Sequence, residues 1–122
     1  MEPEQFVDEI FKISPLIRFS AIYFESNFYP KKRDGVETHL DSFETVESMS
    51  DAVLRMEQRA KYAQKIGNFH YAIAKYDEVN RVTIPLGKDG LIMFSTEPEA
   101  KCELITEKVI ELKKKNEISI NI

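Results

Sequence analysis

The chain has 122 residues, 43% of them hydrophobic and 31% charged, which fits one globular domain around one core and argues against disorder. Its 17 basic and 21 acidic residues leave a net charge of −4, removing the general attraction that a nucleic acid or an anionic membrane would exert. No apolar run approaches the roughly 20 residues that cross a bilayer. Met1-Glu2-Pro3-Glu4 is acidic where a secretory leader is basic, and the single cysteine, Cys102, excludes an internal disulfide framework, so a reducing, cytoplasmic setting without a membrane is expected.

Within residues 3–13, Phe6, Ile10 and Ile13 share a helical stripe flanked by Val7 and Phe11, and Pro15 stops it, which predicts a short first helix. Residues 16–24 are rich in β-branched and aromatic side chains. Ile17, Phe19, Ala21 and Tyr23 fall on one face and Leu16, Ser20, Ile22 and Phe24 on the other, as in a strand buried on both faces. A turn at Glu25-Ser26-Asn27 leads to a poorer strand over 28–33, ended by Asp34-Gly35. Over 45–66, Val46, Met49, Val53, Met56, Ala60 and Ala63 recur three and four residues apart, which predicts one long helix. Asp51 with Arg55 and Glu57 with Lys61 support it, and Gly67-Asn68 stops it.

Three strands follow at 70–76, 81–86 and 91–95, linked by Asp77-Glu78-Val79-Asn80 and Gly87-Lys88-Asp89-Gly90 into an antiparallel meander. Thr96-Glu97-Pro98-Glu99 has the form of a capping box with proline in the first turn. It opens a last helix whose buried stripe is Cys102, Ile105, Val109 and Leu112, with Lys113-Lys114-Lys115 at its C-terminal end. The expected fold class is α/β of the α+β type: a five-stranded antiparallel sheet flanked by a long helix and two terminal helices, one domain over residues 1–116. Residues 117–122, Glu117-Ile118-Ser119-Ile120-Asn121-Ile122, alternate strictly and read as an added strand or an apolar tail.

Chemistry is sparse. His39 and His70 are far apart in sequence, and neither stands in a ligand spacing with Cys102, so no metal is expected. Cys102 lies on the apolar stripe of the last helix and reads as a small buried hydrophobe, not a nucleophile. Glu44, Glu47, Asp51 and Glu57 form a solvated helix face, and Gly87-Lys88-Asp89-Gly90 lacks the phosphate-loop pattern. No catalytic residue and no cofactor follow from these residues. Lys31, Lys32 and Arg33, beside Phe28 and Tyr29, combine charge and rings as an anion or single-stranded nucleic acid would require, although Pro30 and lysines on an edge strand also block unwanted pairing. Leu54, Tyr62 and Ile66 lie off the helix seam and, with Tyr71 and Ile73 of the third predicted strand, form a candidate interface. The alternative is a small-molecule or anion sensor with a pocket lined by Tyr23, Phe24, Tyr76 and Phe94.

The order of elements resembles the roadblock (dynein light chain) group of profilin-like domains, and within it a set of archaeal proteins. The resemblance is carried by the strings from Lys12 to Ala21, from Lys32 to Glu37, from Tyr76 to Gly87 and from Ser95 to Glu99, and spans about residues 5–115. It implies a homodimer in which the third strand pairs across a two-fold with the long helices beside it. It also implies a non-enzymatic scaffold or regulator with a small Ras-like GTPase as partner. The basic, proline-interrupted 28–33 segment and the apolar tail depart from that pattern.

Overall fold

The structure, a computed structural model, describes residues 1–116. Along them the chain forms α1 (Pro3–Phe11), β1 (Ile17–Phe24), β2 (Asn27–Lys32), α2 (Ser42–Ala60), α3 (Ala63–Ile66), β3 (Ala72–Lys75), β4 (Asn80–Leu86), β5 (Gly90–Thr96) and α4 (Cys102–Lys115). The strands make one sheet in the order β2-β1-β5-β4-β3, with every neighbouring pair antiparallel, so the expected five-stranded architecture is present. The expected 117–122 strand or tail lies outside the described residues.

The two faces of the sheet are covered unequally. On one, Phe6, Val7 and Ile10 of α1 and Ile105 and Val109 of α4 enclose Ile17, Ile22, Val82, Ile84, Leu86, Ile92 and Phe94. On the other, α2 buries only Met49 and Ala52, against Ala21, Leu91 and Met93. Ile17 is on the first of these faces, not with Phe19, Ala21 and Tyr23 as strict alternation predicts. A register shift between Ile17 and Phe19 in the β1–β5 ladder turns it over, as a bulge does.

The long helix also differs from expectation at both ends. It starts at Ser42 because Asp41 caps it reciprocally with Glu44: the Glu44 amide donates to Asp41 Oδ1 at 2.8 Å, and the Asp41 amide donates to Glu44 Oε1 at 3.1 Å. It stops at Ala60, where the amides of Lys61 and Tyr62 reach back three residues to Gln58 and Arg59, and one separate turn, α3, follows. Ala60 is exposed and Ala63 only half-buried, so no sheet lies beneath this end to hold a continuous helix. Val46, expected in the seam, is 54% exposed, and Ala52 occupies the buried position instead.

The expected capping box at Thr96 does not form. Thr96 is a buried residue of β5 whose hydroxyl donates to the Glu97 carbonyl at 2.9 Å and accepts from Asn80 Nδ2 at 3.2 Å. Buried Asn80 needs that acceptor, and α4 starts after Lys101 with no side-chain cap. β3 is shorter than its predicted 70–76, leaving His70, Tyr71 and Tyr76 outside the ladder, and β2 ends before Arg33.

Gly90 is required by the close approach of strands: a Cβ there would meet the carbonyl oxygens of Leu86 at 2.6 Å and Tyr23 at 2.8 Å. The β1–β2 hairpin, by contrast, places two non-glycine residues at positive φ, Glu25 at 51° and Ser26 at 65°. A left-handed L-residue costs about 1–2 kcal/mol relative to glycine. Replacing Glu25-Ser26 by Asn-Gly is therefore expected to raise stability by about 1–2 kcal/mol in a urea melt, and an unchanged midpoint would show that this turn carries no strain.

Candidate interaction surface

The two edges of the sheet differ. β2 carries Pro30, which has no amide hydrogen to donate, and it is tied to α1 by Lys31 Nζ, 2.6 Å from Asp8 Oδ1. β3 is the short segment Ala72-Ile73-Ala74-Lys75, free of proline and, among the described residues, paired on one side only, with β4. The residues that pack beneath α2 belong to β1, β2 and β5; on the β4 and β3 part of that face Arg81, Thr83 and Pro85 are only half-buried and Ala74 is exposed, and a bond joins Arg81 to the Ser48 hydroxyl.

Beside this strip stands a run of exposed apolar side chains. Of the eight large hydrophobic residues exposed among the described residues, seven lie between residues 43 and 76: Phe43, Val46, Leu54, Tyr62, Ile66, Tyr71 and Tyr76. Leu54, Tyr62, Ile66 and Tyr71, expected at an interface, are among them. Ile73 is not, because the strand alternation turns it onto the chain's own core, where it packs half-buried. Phe43 and Val46 were not expected there. Recognising Asp41 as the N-cap brings Phe43 into the helix, and Phe43, Val46 and Leu54 then fall within about a quarter turn of one another on its outer face.

Between the 33–41 loop, the start of α2 and the β3–β4 turn lies a cleft of about 630 Å³. Phe19 and Met93 form its floor, Val36 and Leu40 one wall, and Tyr76 and Val79 the other. Arg18 braces it, donating through Nη1 to both carboxylate oxygens of Glu97 at 3.0 and 2.7 Å and through Nη2 to the Glu37 carbonyl at 2.6 Å. Glu37, Asp77 and Glu78 line the rim, exposed, and none is in an ion pair within the described residues. Of the expected aromatic pocket, Tyr76 and Phe94 line this cleft, with Phe94 otherwise buried on the opposite face. Tyr23 packs beneath α2 and Phe24 against the α1 side, so the four rings do not converge.

The three adjacent cations do not converge either. Lys31 is held by Asp8, which also raises its pKa through the hydrogen bond and the opposite charge, and Lys32 Nζ donates to the Val36 carbonyl at 3.0 Å. Arg33 points to the α1 side. It donates to the carbonyls of Ile17 at 2.6 Å, Phe11 at 2.8 Å and Ser14 at 2.8 Å, and its guanidinium stacks 5.0 Å from the Phe11 ring centre. It is a tie between α1 and β1. His39 lines the cleft, His70 is exposed, and no group of three His, Cys, Asp or Glu side chains that could hold a metal occurs among the described residues. Cys102 is half-buried, and burial pushes its thiol pKa up.

The strand order β2-β1-β5-β4-β3, with α1 and α4 on one face and α2 on the other, decides the fold. It is that of the roadblock/LC7 domain. A Roadblock/LC7 domain from Streptomyces avermitilis superposes with a TM-score of 0.76 at 9% identity, covering 100% of both chains. The gliding protein MglB from Thermus thermophilus superposes with a TM-score of 0.61 at 10% identity, covering 86% of this chain and 80% of that one. An MglB structure with a tetrameric arrangement gives a TM-score of 0.61 at 11% identity, covering 88% and 82%. No family model matches the sequence, and no curated protein does. The likeness to the roadblock/LC7 fold is thus one of backbone architecture.

Arg33→Ala, which strips three carbonyls of one charged donor, is expected to cost about 2–4 kcal/mol in a urea melt, with little recovery in Arg33→Lys because an ammonium cannot span all three. A loss as small as that of the exposed Lys31→Ala would show that Arg33 is not a tie. Cys102 should react about tenfold more slowly with a thiol reagent at pH 7.5 in the folded than in the urea-unfolded chain. Because its folded pKa is raised, the associated stability is full below the unfolded thiol's pKa and declines as pH rises through the folded value. Equal folded and unfolded reaction rates would contradict this.

Proposed function

We propose that this chain is a non-enzymatic interaction module that pairs with itself through β3 and the outer face of α2, and in that form scaffolds or regulates a small Ras-like GTPase. One observation carries the reading: of the large apolar side chains exposed among the described residues, all but Leu104 lie on residues 43–76, the segment that holds α2 and β3, and β3 is a sheet edge that among those residues has neither proline nor a second strand beside it. Seven such side chains, exposing on the order of 100 Å² apiece, approach the roughly 800 Å² per partner that a stable interface buries. The edge supplies backbone donors and acceptors, so a second copy of β3 adds by strand augmentation, and the helix stripe covers what lies beside it. The roadblock/LC7 fold, and the tetrameric arrangement of one MglB structure, support self-assembly; the GTPase rests on the sequence resemblance.

Light scattering on a sizing column, over about a hundredfold range of concentration, tests the pairing. The expected mass is about 28 kDa, twice the 14.2 kDa chain, for both the full chain and one ending at Asn116. Leu54→Glu, which places a charge on the exposed stripe, is expected to shift the chain to monomer while its far-UV circular dichroism stays that of the folded wild type, its melting temperature falling only to that of the undimerised chain. A wild-type monomer at every concentration would refute the pairing.

A further inference from the structure

Full antiparallel overlap of β3 with a second copy sets Ala72 opposite Lys75 and places the two-fold between Ile73 and Ala74, normal to the sheet. Both α2 helices then stand on the same face, and the N-terminal end of one β3 meets the C-terminal end of the other. The cleft adjoins the C-terminal end of β3, through Tyr76, and α3 precedes the N-terminal end. Within one chain these two features lie about 28 Å apart, the length of the 19-residue α2. Across the two-fold they come to the same end of the paired strands.

Their chemistry matches. No residue of α3 is fully buried in its own chain, Ala63 being half-buried, and Tyr62 and Ile66 at its two ends are 59% and 84% exposed. Lys61 and Lys65 beside them are exposed and have no acidic partner among the described residues. The cleft has an apolar floor at Phe19 and Met93; of its charged lining Arg18, Lys32 and Arg81 are held by Glu97, the Val36 carbonyl and the Ser48 hydroxyl, while Asp77 and Glu78 on the rim have no basic partner among the described residues.

We infer that α3 of each protomer seats in the cleft of the other, with Ile66 and Tyr62 on the apolar lining and Lys61 and Lys65 against Asp77 and Glu78. This rests on the proposed β3 pairing and adds a reciprocal plug to it. The contact is isologous, so each dimer contains it twice.

Charge exchange on the full chain tests it. K61E/K65E and D77K/E78K are each expected to weaken self-association by about tenfold or more, since like charges then face each other at both contacts. An equimolar mixture of the two is expected to form a heterodimer of near wild-type affinity, because both contacts regain opposite charges. Ile66→Asp, at a site outside any core, should weaken the wild-type dimer likewise, and so should raising the salt. A wild-type dimer unmoved by Ile66→Asp and by both charge variants, or a mixture that regains nothing, would overturn the plug and leave the β3 pairing standing. A monomeric wild type would remove both.

Discussion

The start of β1 is a node on which separate parts of the molecule depend. The Leu16 carbonyl accepts the Glu97 amide at 2.9 Å, the Ile17 carbonyl accepts Arg33, and the Arg18 guanidinium holds Glu97 and the Glu37 carbonyl. These bonds fix the end of α1, the exit from β2, the segment that carries the chain into α4 and the loop roofing the cleft. They can share one place because β1 is hydrogen-bonded on both sides, to β2 and β5, and because the bulge after Ile17 sends that side chain to the opposite face from Phe19. An uninterrupted strand would put Ile17 beneath α2 and leave a gap against α1, where Phe6 and Ile10 are wholly buried.

The two faces then do different work. α1 and α4 enclose a broad aliphatic core, and a fully buried aliphatic or aromatic side chain contributes about 1.5–3 kcal/mol. α2 sinks only Met49 and Ala52 completely and relies in addition on its capping box and on half-buried Val53 and Met56. A helix held this lightly, with a second apolar stripe turned outward, is better suited to contact than to core. The electrostatics agree: the Arg18–Glu97 pair lies at the braced end of the cleft, while Glu37, Asp77 and Glu78, in no ion pair among the described residues, stand at its rim.

The sheet and its sequence of elements were legible because their signals are local: alternation in residues 16–24, polar turns after each later strand, and a three-four spacing in the helices. What failed depended on distant neighbours. The spacing that runs from Val46 to Ala63 cannot reveal how far the sheet extends beneath a helix, so it overran Ala60 and misplaced Val46. Thr96-Glu97-Pro98-Glu99 has a capping box's form, but Asn80, remote in sequence, claims the threonine. Arg33 read as one of three surface cations because no spacing announces that three carbonyls at the end of α1 will converge on it. Leu54, Tyr62 and Ile66 were legible as surface for the simplest reason: they do not fit the seam.

The inequality of the sheet's two borders has a consequence for growth. A polymer built by strand addition needs two pairable borders on every unit, one to receive and one to offer. Here the border at β2 presents Pro30 and lysines, so if a second copy occupied β3 the outer margins of the pair would both be β2 and addition would stop. A strand edge of this kind would be used once, and the proline-bearing border would keep such pairing from running on into a fibre.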